Sequence, residues 1–96
     1  MSPQPSGRLA LRIIVPRSLE VEAEVLEVSL PSLDGSVGIL PGHRPTVLAL
    51  GRGSLVYKDE KGEESLSVRG GYAEVGPEAV LVFTELSDDE DTSPSD

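Results

Sequence analysis

The chain has 96 residues, 17 of them acidic and 8 basic, and a formal net charge of −9. This length predicts one small domain near the lower limit for a self-sufficient core, and the absence of cysteine excludes disulfides as further stabilisation. Five acids lie in residues 87–96, so residues 1–86 carry 12 acids against 8 bases, a net −4. Because there is no basic patch and only three aromatic residues, nucleic acid is not an expected partner.

The terminal segments predict the domain organisation. No apolar run reaches the roughly 20 residues that cross a bilayer, and residues 2–8 lack the apolar core of a signal peptide, so we expect a soluble, intracellular protein. We expect residues 1–8 to be flexible and residues 9–86 to form the folded domain. Residues 87–96 are expected to be disordered, because acids and serines bury too little apolar surface to offset the entropy of ordering.

The first predicted elements are two strands with a change of phase. Residues 9–15 are apolar and β-branched and end before Pro16, which predicts a strand. Apolar and acidic residues then alternate over 19–25, but the apolar phase shifts by one residue at Leu26. Such a shift exchanges the faces of a strand, so a bulge or tight turn is expected near Val25 and Leu26. A helix over residues 17–30 is a less favoured alternative, because the period is two.

The later predicted elements are short strands between turns. Turns or loops are predicted over residues 31–35, 41–45, 51–53, 59–64, 70–71 and 76–78. Strands are predicted over residues 37–40, 47–50, 54–58, 65–68, 72–75 and 79–86. This spacing is typical of an all-β fold, and we expect a small β-sandwich or flattened barrel of eight to ten short strands.

Residues 33–45 are the densest group of special residues, with glycines, two prolines and the only histidine. This composition predicts a rigid loop that is not helical and does not lie inside a sheet. His43 is the only candidate for proton transfer near neutral pH, but a single histidine in such a loop is more often a packing or hydrogen-bonding residue. The chain has neither the usual zinc ligands nor a phosphate-binding glycine motif. We therefore expect no catalytic residue, metal or cofactor.

The same segment, read as D-G-x-x-G-I-L-P-G-H-x-P, closely resembles a signature of the epsilon subunit of bacterial F-type ATP synthases, called delta in mitochondria. The likeness extends from about residue 9 to about residue 86. Residues 51–53 resemble the family's x-P-G turn, and residues 68–75 are similar to its S-G-G-x-x-E-V strand crossing. The resemblance implies the N-terminal β-sandwich of a non-catalytic central-stalk (rotor) subunit, which links gamma to the c ring and helps couple ion translocation to ATP synthesis.

The resemblance also implies two sets of contact residues. The c ring would contact Leu33, Asp34, Gly35, Ser36 and Val37. Gamma would contact Leu40, Pro41, Gly42, His43, Arg44 and Pro45. Asp34 is a candidate partner for an arginine in a c-subunit loop, or else only a turn acid that bonds nearby backbone. Val37 is equally consistent with a core position, whereas an interface is favoured for Leu40.

The chain departs from the resemblance after residue 86. Most bacterial epsilon subunits continue with a two-helix domain that inhibits ATP hydrolysis, and in some species this domain contributes to ATP binding. Residues 87–96 show neither helical periodicity nor the I-x-D-x-x-R-A pattern, so we expect a naturally short form without the inhibitory function and without ATP binding. The implied location is peripheral, on the cytoplasmic face of the bacterial plasma membrane. A free-standing β-sandwich interaction module is the alternative.

Overall fold

Nine β-strands in two sheets make up the computed structural model, which describes residues 7–86. The strands are β1 Leu9–Val15, β2 Ser18–Val25, β3 Glu27–Ser32, β4 Gly35–Ile39, β5 Thr46–Ala49, β6 Arg52–Asp59, β7 Gly62–Arg69, β8 Tyr72–Val75 and β9 Ala79–Phe83. The strand orders are β2-β1-β9-β8-β5 and β4-β3-β6-β7. The expected all-β sandwich is confirmed, and the alternative helix over residues 17–30 is wrong. The predictions for residues 1–6 and 87–96 lie outside the described residues.

The core lies between the two sheets and follows the two-residue period of the strands. In β1, Leu9, Leu11 and Ile13 are fully buried, whereas Ala10 and Arg12 between them are exposed. The strands β3, β6 and β9 contribute buried valines and leucines in the same way. Alternation along each strand therefore decides which side chains fill the sandwich, as the sequence pattern predicts.

The predicted break near Val25 and Leu26 is confirmed, and it is the corner at which the chain changes sheets. The strand β2 ends at Val25 in the five-stranded sheet, and β3 begins one residue after Leu26 in the four-stranded sheet. Val25 and Val28 are both fully buried, whereas Leu26 is 38% exposed. The backbone N–H of Leu26 donates to the carbonyl of Lys58 at 2.7 Å. Because the chain changes sheets at this corner, the one-residue shift of the apolar pattern lets the apolar side chains of both β2 and β3 point into the same core.

The predicted strand over residues 37–40 is confirmed as the edge strand β4, with the bounds Gly35–Ile39, so the expected rigid loop over residues 33–45 contains a strand and is not loop throughout. The predicted turn over residues 31–35 is also too long, because Pro31 belongs to β3 and pairs with Ser36. Proline is tolerated there because the pairing of β3 with β6 ends at Ser29, so no ladder bond needs a donor at position 31. The carbonyl of Pro31 still accepts a hydrogen bond from the N–H of Gly51 at 2.8 Å.

Two further turns are shorter than predicted. Gly53 lies within β6 and not in a break, and a Cβ at this position would come to 3.0 Å from the Cβ of Pro31. The β6–β7 hairpin turns at residues 60–61, because the Asp59 carboxylate accepts hydrogen bonds from the N–H groups of Lys61 and Gly62 at 2.8 and 3.0 Å. Close packing and side-chain capping therefore let both strands extend into residues that the composition marks as turn.

The last predicted strand is also shorter than expected, since β9 ends at Phe83. After Phe83 the chain leaves the five-stranded sheet and crosses to the end of β7 in the other sheet. The N–H of Arg69 donates to the carbonyl of Glu85 at 2.8 Å, and Leu86 forms an isolated antiparallel bridge with Val68. Residues 84–86 therefore connect the two sheets at one end of the sandwich.

Tyr57 makes the stability of the fold sensitive to alkaline pH. Burial, followed by the negative charges of Glu64 and Asp59, raises the pKa of its hydroxyl above the ordinary value of 10.0. The folded state therefore holds this proton more tightly than the unfolded chain. The resulting stabilisation is fully present below the ordinary pKa and is lost as the pH rises through the raised pKa.

We expect the free energy of unfolding, measured by urea denaturation, to fall as the pH rises above the ordinary tyrosine pKa of 10.0, and to fall less in Tyr57→Phe. The phenylalanine variant keeps the ring and lacks only the titrating hydroxyl. Parallel pH profiles for the two proteins would contradict the assignment to Tyr57.

Candidate functional site

The two predicted contact segments lie at opposite ends of β4. The β3–β4 turn, residues 33–34, is at one end, and the loop over residues 40–45 is at the other. From Asp34 to Leu40 the chain advances by six residue steps, about 20 Å of extended chain at ~3.3 Å per residue. Both segments are therefore fixed to one strand, but they face different directions along the sandwich.

The β3–β4 turn is held by a side chain and by a neighbouring segment. The Ser32 hydroxyl donates to the carbonyl of Gly35 at 2.6 Å and accepts from the N–H of Asp34 at 3.1 Å. The N–H of Leu33 donates to the carbonyl of Ala49 at 3.2 Å. Leu33 is 71% exposed and Asp34 is exposed, whereas Val37 is half-buried and packs against the core. The turn thus presents one apolar and one acidic side chain from a fixed backbone.

The 40–45 loop is tied to the β8–β9 turn. The N–H of Gly42 donates to the carbonyl of Pro77 at 2.8 Å, and the N–H of His43 donates to the carbonyl of Leu40 at 3.2 Å. His43 is half-buried, and its Nδ1 lies 2.7 Å from the carbonyl of Arg44, to which it donates. This hydrogen bond gives His43 a role in shaping the loop. The Leu40 side chain is 58% exposed, so the loop also presents an apolar group to a partner.

A larger apolar surface, which the sequence analysis missed, crosses the outer face of the five-stranded sheet. One row of directly paired residues extends over all five strands, and we call this row the apolar band: Leu19, Ile14, Phe83, Tyr72 and Ala49. Cross-strand partners project to the same face of a sheet. The alternate residues Ile13, Val82 and Ala73 are fully buried, so the band faces outward.

Aromatic side chains form the centre of the apolar band. The rings of Tyr72 and Phe83 stack with their centroids 4.9 Å apart and an interplanar angle of 26°. Tyr72 is 44% exposed, and Val47, in the neighbouring row of β5, is 69% exposed. Val47 follows two residues after Pro45, so the apolar surface continues from the 40–45 loop. Exposed apolar surface of this extent is typical of protein contact sites.

The outer face of the four-stranded sheet differs from that of the five-stranded sheet. Its rows contain the serines Ser29, Ser36, Ser54, Ser65 and Ser67. Lys58 and Glu63, which pair directly, add charges to this polar face. The apolar band therefore has no counterpart on the four-stranded sheet. On its own face it borders a row that includes the charged residues Glu22, Arg12 and Glu74, so the candidate docking surface is an apolar band with charged neighbours.

A weak signal for the apolar band exists in the sequence. Ile13 and Ile14 are adjacent, and residues 79–83 of β9 are all apolar, so both faces of these strands carry apolar side chains. In a strand with one face in water, apolar and polar residues would alternate instead. What the sequence could not reveal is that β1 and β9 are neighbours, which places the outward residues of both strands in one row.

Within residues 7–86, no three side chains of the types His, Cys, Asp and Glu lie close enough together to hold a metal ion. The same residues contain no helix of the length and apolarity that a membrane span requires.

Comparison with known proteins identifies the fold and the family. A family model described as "ATP synthase, Delta/Epsilon chain, beta-sandwich domain" matches residues 8–86. The chain is also similar in structure to a chain of the mitochondrial ATP synthase of Euglena gracilis, solved as OSCP/F1/c-ring, with a TM-score of 0.84 and 23% identity over 97% of this chain and 61% of that chain. A chain of the Tetrahymena thermophila central stalk and c-ring aligns with a TM-score of 0.68 and 11% identity, over 91% of this chain and 71% of that one.

Relatives in sequence carry the name ATP synthase epsilon chain. The relative from Desulfatibacillum aliphaticivorans is 33% identical over 84 residues, which are 86% of this chain and 60% of the relative. The relative from Lawsonia intracellularis is 39% identical over 80 residues, 83% of this chain and 60% of that one. This chain therefore spans about three fifths of the length of these relatives. Because the family model covers almost the whole described structure, the chain belongs to the ATP synthase delta/epsilon family, and residues 8–86 are its β-sandwich domain.

Proposed function

We propose that this chain is the epsilon subunit of the central stalk of an F-type ATP synthase, where it links gamma to the c ring and helps couple ion translocation to ATP synthesis. The observation that carries the proposal is the placement of two exposed segments at opposite ends of one strand in a sandwich of the delta/epsilon family. A subunit that connects two partners needs two separate surfaces on a rigid body. The two structural neighbours support this role, since one belongs to an ATP synthase structure of OSCP/F1/c-ring and the other to a structure of a central stalk and c-ring.

The c ring is proposed to bind the β3–β4 turn and the strand that follows it. The residues of this contact are Leu33, Asp34, Gly35, Ser36 and Val37. The hydrogen bonds of Ser32 fix the turn before a partner arrives, so little conformational entropy is lost on docking. The exposed carboxylate of Asp34 suits an arginine in a loop of a c subunit.

Gamma is proposed to bind the loop at the other end of β4. The residues of this contact are Leu40, Pro41, Gly42, His43, Arg44 and Pro45. A stable interface buries about 800 Å² on each partner, which is more than six loop residues supply. We therefore infer that the gamma contact continues through Val47 onto the apolar band. The exposed apolar side chains on this face and its stacked aromatic pair favour this extension.

The subunit is proposed to be non-catalytic and to bind neither ATP nor a metal. It would transmit torque through the sandwich, which is stiff because its backbone is paired in two sheets. Its proposed location is the cytoplasmic face of the bacterial plasma membrane, where it would be peripheral and held by its partners. When isolated it is expected to be soluble.

The contact segments at the two ends of β4 can be tested separately by introducing a glutamate into each. Leu33→Glu should lower the affinity for detergent-solubilised c ring by about tenfold and leave gamma binding unchanged, because Leu33 lies far from the 40–45 loop. Leu40→Glu should lower the affinity for gamma by about tenfold and leave c-ring binding unchanged. Surface plasmon resonance with immobilised chain measures both affinities, and each variant is the control for the other.

Several outcomes would contradict the proposal. A wild-type chain that binds neither gamma nor the c ring of its own ATP synthase is not a rotor subunit, and the free-standing interaction module would replace this function. Variants that each weaken both partners would show that the two segments do not form separate contacts.

A further inference from the structure

Thr84 is the one polar residue among the buried side chains of residues 7–86, with 6% of its surface exposed. Its hydroxyl donates to the carbonyl of Gly70 at 2.6 Å and lies 3.3 Å from the carbonyl of Glu85. Its backbone N–H donates to the carbonyl of Ile14 at 3.1 Å. Thr84 therefore joins the end of β1, in one sheet, to the residue that follows β7, in the other.

Backbone hydrogen bonds continue from Gly70 towards the β3–β4 turn. The N–H of Gly70 donates to the carbonyl of Gly51 at 3.1 Å, and the N–H of Gly51 donates to the carbonyl of Pro31 at 2.8 Å. Pro31 lies two residues before Leu33, the first residue of the turn. The Thr84 hydroxyl is thus connected to the turn through two intermediate residues, Gly70 and Gly51.

A parallel set of bonds reaches the other side of the turn. The N–H of Leu50 donates to the carbonyl of Gly71 at 2.9 Å, and the carbonyl of Ala49 accepts from the N–H of Leu33 at 3.2 Å. The 49–51 segment is therefore held between the 70–71 crossing and the β3–β4 turn. If the 70–71 crossing moves, the support of the turn moves with it.

We propose that Thr84 is a positioning residue for the β3–β4 turn and sets the geometry with which this turn meets its partner. It acts through Gly70 and Gly51 and does not itself contact a partner. That the partner is the c ring rests on the proposed function. The positioning itself is a property of the isolated chain, so the two can be tested apart.

The test compares two substitutions in the full 96-residue chain. Thr84→Val keeps the shape of the side chain and removes the hydroxyl, whereas Thr84→Ser keeps the hydroxyl. In Thr84→Val, hydrogen exchange measured by NMR should become about two- to tenfold faster at the amides of Gly70, Gly51 and Leu33, as expected for the loss of one hydrogen bond. Amide exchange at Gly42, at the opposite end of the sandwich, should stay unchanged. Thr84→Ser should behave like the wild type at all four amides.

Binding measurements then connect the positioning to function. Thr84→Val should weaken c-ring binding by about two- to tenfold and gamma binding by a clearly smaller factor, because the 40–45 loop at the opposite end keeps its geometry although part of the apolar band adjoins Thr84. Thr84→Ser should restore c-ring binding. A purely structural role would instead lower both affinities together, and that result would overturn the proposal.

Exchange results can overturn the proposal independently of the partner. Unchanged amide exchange at Gly51 and Leu33 in Thr84→Val would overturn it. Amide exchange in Thr84→Ser as fast as in Thr84→Val would overturn it as well. If Thr84→Val does not fold, amide exchange of the wild-type chain tests the proposal instead. In the wild type the amides of Gly70, Gly51 and Leu33 should open together, with the same opening free energy. Separate opening free energies would refute the connection. Failure of the wild type to bind the c ring would remove the proposed function and leave the exchange test intact.

Discussion

Replacing Gly71 by alanine is expected to unfold the domain or to lower its free energy of unfolding by at least about 4 kcal/mol. Such a loss is a large part of the total free energy of unfolding of a small domain. A Cβ at this position would come to 1.9 Å from the carbonyl oxygen of Phe83 and 2.9 Å from the Cα of Thr84. The φ angle of +98° adds backbone strain for any residue with a side chain. Both contacts are with backbone, so a rotamer change cannot relieve them. Urea denaturation followed by circular dichroism measures the effect.

Gly70→Ala is the matched control for this prediction. Gly70 also has a positive φ, +73°, but no atom lies within 4 Å of the position that its Cβ would occupy. This variant should therefore lose only about 1–2 kcal/mol, the cost of the left-handed conformation. Similar losses for the two variants would show that the close approach of Gly71 to Phe83 is not what excludes a side chain.

Introducing a carboxylate at the centre of the apolar band is expected to lower the affinity for gamma by about 100-fold. In Tyr72→Glu the stacked ring is lost, and a charge would have to be buried without a partner in an apolar contact. Because Tyr72 is 44% exposed in the isolated chain, the fold should tolerate the change. Isothermal titration calorimetry with purified gamma measures the affinity, and thermal unfolding checks that the variant is folded.

Ser54→Glu places the same charge on the polar outer face of the sandwich, so it is the control for Tyr72→Glu. Its affinity for gamma should stay within about twofold of the wild type, because rim or remote charges contribute little. Equal losses in both variants would point to long-range repulsion and not to the apolar band. Full affinity in Tyr72→Glu would show that gamma does not bind this face.

Local patterns were sufficient to predict most of the strands. Residues 9–15 and 72–75 coincide with β1 and β8, because alternation and flanking prolines or glycines are properties of a few neighbouring residues. Turn lengths could not be predicted in the same way. Gly53 and Pro31 both mark turns by their type, but in the structure both lie in strands, β6 and β3, and they lie against each other. A contact between residues 22 positions apart is not visible in the local sequence.

The candidate site was predictable only in part, for a related reason. The segments over residues 33–37 and 40–45 are contiguous in the chain, so their composition and their resemblance to a known signature were enough to select them. The apolar band takes one residue from each of five strands, and the row exists only because β9 lies between β1 and β8. The sequence shows five separate apolar residues, and the strand order makes them one surface. Contacts of either surface with gamma or the c ring remain predictions.

The parallel pairing of β1 with β9 also determines the order in which the domain can assemble. Ala10 is paired with Ala79, so β1, the first of the nine described strands, must wait for β9, the last of them, before the centre of the five-stranded sheet can close. Pairings of such long sequence separation make folding slow, because the loop must close before its contacts can stabilise it. A chain that lacked β9 would leave the edges of β1 and β8 unpaired, and unpaired strand edges favour aggregation. The five-stranded sheet, whose outer face is the proposed gamma surface, is thus completed only when β9 has joined it, so a chain without β9 would lack an intact apolar band.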